Sequence, residues 1–197
     1  MRMPHIGVLG LQGAVSEHIK QLESIGCTTA IIKKPSELSS LDGLIIPGGE
    51  STAIKRLMDI YGLTEAIQSF NKPIFGTCAG MVLLARDVTG NPDLPLGLID
   101  LAVQRNASGR QRSSFETSLT IKGLDKPFNA IFIRAPYCLQ ASEEVEILAT
   151  HDGHIVAAKQ RNILVSSFHP ELTGDSRLLE LFVRMVIMNG SKNSSTA

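Results

Sequence analysis

Cys78 is the residue whose surroundings most favour chemistry. It lies in the segment Gly76-Thr-Cys-Ala-Gly80, which follows the apolar pair Ile74-Phe75 and precedes a helical pattern. A strand, sharp turn and helix of this kind need small residues on both sides of the central one, because that residue is held in a strained conformation between closely packed elements. A thiol there lies at a helix N-terminus, where unpaired N–H groups favour the thiolate. The pattern therefore predicts that Cys78 is a nucleophile.

The other two cysteines lack this context. A free cysteine is usually buried as a small apolar side chain, so we interpret Cys27 and Cys138 as structural. Three cysteines without Cys-x-x-Cys spacing also argue against a disulfide framework and a zinc site, and they fit a reducing compartment.

A histidine and a glutamate follow a late apolar strand, in the segment Ser166-Ser-Phe-His-Pro-Glu171. In extended backbone, residues i and i+2 face the same side, so Glu171 would hold one imidazole nitrogen of His169. The other nitrogen would take the proton from Cys78, which is the arrangement of nucleophile, base and orienting acid. A strand-end histidine alone is more often structural, so this interpretation depends on the cysteine turn.

A thiolate that attacks a carbonyl also needs N–H donors for the developing oxyanion. The N–H of Ala79, directly after the cysteine, is one candidate. Gly48-Gly49 follows the strand predicted at 43–47, at the edge where open α/β sheets place their sites. We therefore expect an oxyanion hole from Ala79 and Gly49, and acyl transfer through a thioester.

Composition narrows the class of protein. The chain has 197 residues, is 43% hydrophobic and carries 19 basic and 19 acidic side chains, enough to bury one large core. We expect one domain over residues 1–189 and a disordered polar tail over 190–197. Zero net charge gives no general attraction to nucleic acid or anionic membranes, so neither is an expected partner. The N-terminus lacks a signal-peptide pattern and no apolar run reaches membrane-spanning length, which predicts a cytoplasmic protein.

Strands and helices alternate up to about residue 90. The pattern predicts strands at 5–11, 28–33, 43–47 and 74–75, and helices at 15–25, 51–58 and 64–70. Ser51-Thr52 would cap the second helix. This alternation is typical of the α/β class, with a doubly wound, mostly parallel sheet flanked by helices.

Extended segments predominate in the C-terminal half, so we expect additional antiparallel strands there. They lie at 115–121, 130–133, 145–150, 154–159 and 163–167, and an amphipathic helix begins at Ser176. Asp152-Gly153 is typical of a two-residue hairpin turn, and we expect the flanking His151 and His154 to be exposed. This His-x-x-His pair lacks a third ligand, so no metal site is expected.

Two glycine-rich segments lack what a nucleotide needs. The spacing G-x-x-G-x-x-G of Gly7, Gly10 and Gly13, with no acidic residue at the end of the second strand, does not fit a dinucleotide fingerprint. Pro47-Gly-Gly-Glu-Ser-Thr52 lacks the lysine of a phosphate-binding loop. No cofactor is expected.

Several segments together resemble a known family. Three resemble, in order and spacing, the class I (triad-type) glutamine amidotransferases: Pro47-Gly-Gly-Glu50, Gly76-Thr-Cys-Ala-Gly80 and Phe168-His-Pro-Glu171. Four are similar to the glutaminase subunits of pyridoxal 5′-phosphate synthases: Gly7-Val-Leu-Gly-Leu-Gln-Gly-Ala14, Gly48-Gly-Glu-Ser-Thr52, Gly109-Arg-Gln111 and Phe132-Ile-Arg-Ala-Pro136. The resemblance extends to about residue 188. It departs at Ala107-Ser108, where the family pattern has Ser-Phe.

The resemblance implies a flavodoxin-like fold and a glutaminase. L-Glutamine would be hydrolysed to L-glutamate and ammonia, and the ammonia would pass to a separate synthase (lyase) subunit that builds pyridoxal 5′-phosphate. Cys78 would be the nucleophile, His169 the acid/base and Glu171 its orienting residue. Glutamine would be bound by Gly48, Gly49, Glu50, Arg105, Ile133 and Arg134. Structural alternatives are that Glu50 caps the following helix and that the two arginines pair with surface acids.

Gln12 is the expected contact with the synthase subunit. Its segment leaves the first strand at the same sheet edge as the cysteine turn, so one partner surface would touch both. One alternative is the glutaminase of another synthase, such as the histidine-pathway one, against which the Gln12 segment and Arg134-Ala-Pro136 argue. The other is a catalytically silent subunit that binds glutamine or scaffolds a partner, which the intact set of candidate catalytic side chains disfavours.

Overall fold

Ten strands of the described residues form one sheet, which takes strands from both ends of the chain. The computed structural model describes residues 3–105 and 114–194. The strands are β1 (His5–Leu9), β2 (Thr28–Ile32), β3 (Gly43–Ile46), β4 (Ile74–Thr77), β5 (Ala85–Val88), β6 (Ile99–Gln104), β7 (Ser114–Leu119), β8 (Phe128–Ile133), β9 (Tyr137–Ala141), β10 (Glu146–His151), β11 (His154–Gln160) and β12 (Ile163–Ser166). The helices are α1 (Val15–Ser24), α2 (Ser51–Ile60), α3 (Leu63–Gln68), α4 (Ala79–Leu84) and α5 (Arg177–Ser194), with short 3₁₀ helices at Pro35–Leu38 and Pro170–Leu172.

The strand order of this sheet is β2-β1-β3-β4-β12-β11-β9-β6-β5, and β10 pairs with β11. Neighbours among the first five strands in this order are parallel, as connections through helices require. β11 runs antiparallel to β12, β10 and β9, so the C-terminal half extends the sheet with antiparallel strands. β7 and β8 form a separate antiparallel pair. The predicted fold class is confirmed.

Apolar side chains fill both faces of the large sheet. Every residue of β3, β4 and β12 is buried, because helices cover both faces. Ile54 of α2 and Ile67 of α3 belong to one core, whereas Leu22 of α1 and Phe182 of α5 belong to the other. Phe182 packs on Phe75 of β4, with ring centroids 5.6 Å apart. The residues that follow these central strands are therefore anchored to a well-packed support.

Three strands, β5, β6 and β9, are not predicted from the sequence. β6 alternates buried and more exposed side chains, so a signal of period two was present. β5 has only four residues, and Arg86 and Asp87 in it are exposed. Its extended form depends on pairing with β6, and that of β9 depends on pairing with β6 and β11. Such pairing is tertiary information that a local pattern does not carry.

The C-terminal helix is longer than expected. α5 continues to Ser194, so residues 190–194 of the segment expected to be a disordered tail are helical, and 195–197 lie outside the described residues. A glycine inside a helix costs only about 1 kcal/mol relative to alanine, so Gly190 does not end the helix. The Ser191 hydroxyl also donates a hydrogen bond to the carbonyl of Ile187. Within the described part of the chain, no helix is both long and apolar enough to cross a membrane.

The hairpin turn predicted at Asp152-Gly153 connects β10 to β11. Both turn residues have positive φ, 48° and 77°, as a two-residue hairpin of this composition requires. The flanking His151 and His154 were expected to be exposed, but both are half-buried, because His151 stacks on Phe132 and His154 stacks on Tyr137. Across residues 3–105 and 114–194, no group of three or more His, Cys, Asp or Glu side chains could hold a metal ion.

Candidate active site

Cys78 occupies the sharp turn predicted between a strand and a helix. It directly follows β4, is the N-cap residue of α4 and has φ 50°, an uncommon value for a residue with a side chain. A Cβ on Gly80 would lie 2.1 Å from the carbonyl oxygen of Ile46, and a Cβ on Gly76 would lie 2.6 Å from the carbonyl carbon of Gly80. Only glycine fits at either position, so the packing of β3, β4 and α4 fixes the position of the cysteine.

His169 and Glu171 come together just after β12. The Nδ1 of His169 donates a hydrogen bond of 2.7 Å to Oε1 of Glu171, and both side chains are buried. The sequence predicts this contact from the alternation of side chains along a strand. In the structure Glu171 lies instead in the 3₁₀ helix Pro170–Leu172, and the turn of that helix brings it to His169. The hydrogen bond leaves Nε2 of His169 free for a reacting group.

The pKa values of His169 and Glu171 both depart from those of the free side chains. Burial disfavours the imidazolium, but hydrogen bonds with Cys78 and Glu171 outweigh it and raise the pKa of His169 to about 10. Burial likewise opposes ionisation of Glu171, yet the hydrogen bond from His169 and the nearby His18 lower the pKa of that carboxyl. Glu171 is thus a carboxylate that stabilises a proton on His169.

The Gly48-Gly49 turn lies against both reactive side chains. A Cβ on Gly48 would approach Cε1 of His169 to 2.5 Å and Cβ of Cys78 to 3.4 Å. The thiol of Cys78 faces the carbonyl of Ile133, at 3.9 Å from Sγ to oxygen. A thiol beside an imidazole that a carboxylate orients can act as a nucleophile with its own base.

A cleft of about 400 Å³ opens above the thiol. Its walls contain both the reactive pair and most of the side chains that the sequence assigns to ligand binding. They are Gly49, Glu50, Ser51, Cys78, Ala79, Val82, Arg105, Ile133, Arg134, Pro136 and His169. A cleft of this size suits a single small molecule.

Glu50 caps α2, where Ser51-Thr52 was predicted as the cap. Its carboxylate accepts hydrogen bonds from the N–H groups of Thr52, at 3.2 Å, and Ala53, at 2.7 Å. It also pairs with Nη2 of Arg105 at 2.8 Å. The Thr52 hydroxyl, these N–H groups and Arg105 together outweigh burial and lower the pKa of Glu50. Glu50 therefore caps α2 and lines the cleft at the same time.

Arg134 and Ile133 form the opposite wall. Arg134 follows β8 directly and has φ 45°, a second strained residue beside the cleft. Ile133 is one of the partly exposed apolar side chains, and it faces the space above the thiol. The remaining motif residues of this region, Gly109-Arg-Gln111 and Ala107-Ser108, lie outside the described residues.

The Gln12 segment touches the Gly48-Gly49 turn. Oε1 of Gln12 accepts a hydrogen bond of 2.7 Å from the N–H of Glu50. A Cβ on Gly13 would overlap the carbonyl oxygen of Gly48, at 1.6 Å. The loop after β1 thus packs directly on the turn that borders the thiol, and any displacement of one reaches the other.

His18 is the buried residue of this region that sequence reasoning missed. Its Nε2 lies 3.2 Å from the hydroxyl oxygen of Thr77 and 3.5 Å from Oε2 of Glu171. A signal was present, because His18 occupies the apolar stripe of α1 beside Leu22, a position where a polar residue needs a partner.

The fold and the site together are those of a glutamine amidotransferase. The model of the SNO glutamine amidotransferase family matches residues 8–188, and the chain belongs to this family. A curated relative from Bacillus velezensis, pyridoxal 5′-phosphate synthase subunit PdxT, is 56% identical over 183 residues, which cover 91% of this chain and 93% of that protein. A relative of the same name from Pasteurella multocida is 56% identical over 185 residues, covering 92% and 96%.

Solved structures agree with this assignment. A crystal structure of a glutamine amidotransferase superposes with a TM-score of 0.88 at 41% identity, over 92% of this chain and 98% of the other. A putative GMP synthase subunit from Thermoplasma acidophilum, at 19% identity and a TM-score of 0.76, shares the fold. The superposition covers 98% of this chain and 99% of that one.

Proposed function

We propose that this chain is the glutaminase subunit of a pyridoxal 5′-phosphate synthase. It hydrolyses L-glutamine to L-glutamate and ammonia, and a separate synthase subunit receives the ammonia. The observation that carries the proposal is that Cys78 and His169 line a cleft, with Glu171 hydrogen-bonded to His169, in a chain whose relatives bear that name. The same relatives favour this assignment over a histidine-pathway glutaminase. We place the protein in the cytoplasm, where both subunits would meet.

The reaction proceeds through a thioester on Cys78. His169 accepts the thiol proton and holds it as the imidazolium, as its raised pKa favours, and the Cys78 thiolate attacks the carboxamide carbon of glutamine. The resulting oxyanion accepts hydrogen bonds from the N–H groups of Ala79 and Gly49. His169 then gives its proton to the leaving nitrogen, and ammonia departs. Water, deprotonated by His169, attacks the thioester and releases glutamate and the free thiol, with Glu171 holding the imidazole in position throughout.

Recognition of a free amino acid needs an acidic and a basic group, because glutamine carries an ammonium and a carboxylate at one end. Glu50 suits the ammonium, and Arg105 and Arg134 suit the carboxylate. Glu50 and Arg105 already form an ion pair in the cleft, so the charged groups of bound glutamine replace part of the contact between these two side chains. The backbone of Gly48, Gly49 and Ile133 lies beside the carboxamide.

The assay measures glutamate release by the purified chain mixed with the synthase subunit. Cys78→Ala is expected to eliminate hydrolysis without unfolding the protein, since no other group is proposed to form the covalent intermediate. Cys27→Ala and Cys138→Ala are the matched controls and should retain activity. Hydrolysis by Cys78→Ala near the parent rate would refute the mechanism, and an inactive parent would favour the alternative of a silent subunit.

A further inference from the structure

One oxygen of Glu171 is not explained by the triad. Oε1 accepts the hydrogen bond from His169, whereas Oε2 is buried and has no hydrogen-bond partner among the described residues. A buried carboxylate oxygen without a donor is costly, because it has lost its water and gained nothing in return. The group that faces Oε2 is Nε2 of His18, at 3.5 Å, and neither side chain has any exposed surface.

The position of His18 suits a neutral donor. Burial is the main effect and lowers the pKa of His18, with His169 acting in the same direction and Glu171 opposing. Nδ1 of His18 has no hydrogen-bond partner within the described chain, so we assign the proton of the neutral ring to Nε2, the nitrogen with oxygens nearby. Two oxygens lie near this nitrogen, the hydroxyl oxygen of Thr77 at 3.2 Å and Oε2 of Glu171 at 3.5 Å.

The same helix also fixes the backbone of the turn that carries Glu171. Gln21, one turn after His18 on α1, donates a hydrogen bond of 3.2 Å to the carbonyl of Pro170. His18 meanwhile reaches Thr77, the residue directly before the nucleophile. α1 thus joins both halves of the triad, and of these contacts it is His18 that touches the carboxylate.

We propose that His18 is a positioning residue for the glutaminase reaction, which presents its Nε2–H to Oε2 of Glu171 and fixes the carboxylate that orients His169. This inference rests on the proposed function. With the contact, the row of interacting side chains runs from Cys78 through His169 and Glu171 to His18. Without it, the carboxylate is held by His169 alone and is less stable as an anion, so it keeps His169 in its reactive orientation less often.

Three substitutions separate the donor from the shape of the side chain. His18→Gln places an amide nitrogen near the position of Nε2. His18→Asn reaches only the position of Nδ1, and His18→Leu has no donor. In complex with the synthase subunit, Leu and Asn are expected to lower kcat about tenfold with KM unchanged, which is the low end of the effect of a hydrogen bond to a charged group. Gln should retain most of kcat.

A titration distinguishes positioning from simple packing. The titratable groups that face Glu171 are His169 on its own turn and His18 on α1, while His18 faces Glu171 and His169 and has Glu17 beside it. Loss of the donor in His18→Leu should move the titration midpoint of the Glu171 carboxyl to higher pH, which NMR of the carboxyl carbon measures. The acid limb of the pH profile of kcat should move in the same direction. Leu22→Ala, on the same helix and fully buried, is the structural control. It should lose stability and keep both midpoints.

Two results would overturn the proposal. One is a His18→Leu protein with the parent's kcat and the parent's Glu171 midpoint. The other is equal loss of kcat in His18→Gln and His18→Leu. The NMR midpoint does not depend on turnover, so it tests the contact even if the parent proves inactive and the proposed function fails. His18→Asn keeps the comparison available if His18→Leu does not fold.

Discussion

The two sides of the cleft are built in different ways. On the proposed catalytic side, Cys78 is buried, the side chains of His169 and Glu171 are 11% and 0% exposed, and packed backbone positions all three. On the recognition side, the Glu50 and Arg105 side chains are 51% and 25% exposed and pair with each other. Under the proposed function, this difference means that the chemistry depends on a preformed arrangement, whereas glutamine binding depends on charges that must exchange partners. Substitutions on the catalytic side should therefore change kcat, and those on the recognition side should change KM.

The largest effect is expected on the catalytic side. His169→Asn should lower kcat by about a thousandfold or more, because it removes the proposed base, whereas Glu171→Gln should retain more activity, because an orienting residue is less indispensable. Glutamate release under saturating glutamine, with the synthase subunit present, measures both. Equal losses in the two variants would contradict the assigned roles while leaving the site in place.

The next effect concerns the link between the two sides. The isolated chain should be a poor glutaminase, and docking of the synthase subunit should raise hydrolysis by about a hundred- to a thousandfold, the effect of one added oxyanion donor. The Gln12 loop packs on the Gly48-Gly49 turn, so a docked partner can reorient that peptide toward the oxyanion.

Gln12→Ala tests this link directly. The variant should dock and yet lose most of the stimulation, which a binding assay and a glutamate assay measure separately. Full activity in the isolated parent chain, or undiminished stimulation of docked Gln12→Ala, would show that the site is complete without its partner.

A smaller effect is expected on the recognition side. Glu50→Gln and Arg105→Met should each raise KM for glutamine by about tenfold, because each loses one charge-assisted contact with the amino-acid end. kcat should fall less than KM rises. Glu50→Gln keeps most of the capping geometry of α2, so its thermal stability should stay near that of the parent. A loss confined to kcat would place these side chains in the chemical step instead.

The smallest expected effect is on stability. The folded pKa of His169, about 10, is above its unfolded value of 6.5, so its contribution is complete below pH 6.5 and is lost as the pH rises through 10. His169→Asn should therefore lower the unfolding midpoint by about 2–4 °C near pH 6, and the difference should shrink above pH 10. Thermal unfolding of both proteins at several pH values measures this. A difference that grows with pH would contradict the sign.

Local motifs allowed much of this site to be predicted, and long-range contacts account for the rest. The cysteine turn and the pair of His169 and Glu171 lie within short segments, so spacing and residue type sufficed. The pairing of Glu50 with Arg105 joins residues far apart in the chain, and so does the contact of His18 with Glu171. Both contacts depend on which strands and helices the sheet brings together. A local sequence pattern does not carry that information.

The most direct measurement is the site of acylation. The complex with the synthase subunit is mixed with saturating glutamine, quenched in acid and digested, and the masses of the peptides are measured by mass spectrometry. We predict a glutamyl group on the peptide that contains Cys78, lost in Cys78→Ala and unchanged in Cys27→Ala and Cys138→Ala. Glutamate release with no adduct on Cys78, or with the adduct on another cysteine, would contradict hydrolysis through a thioester at this site.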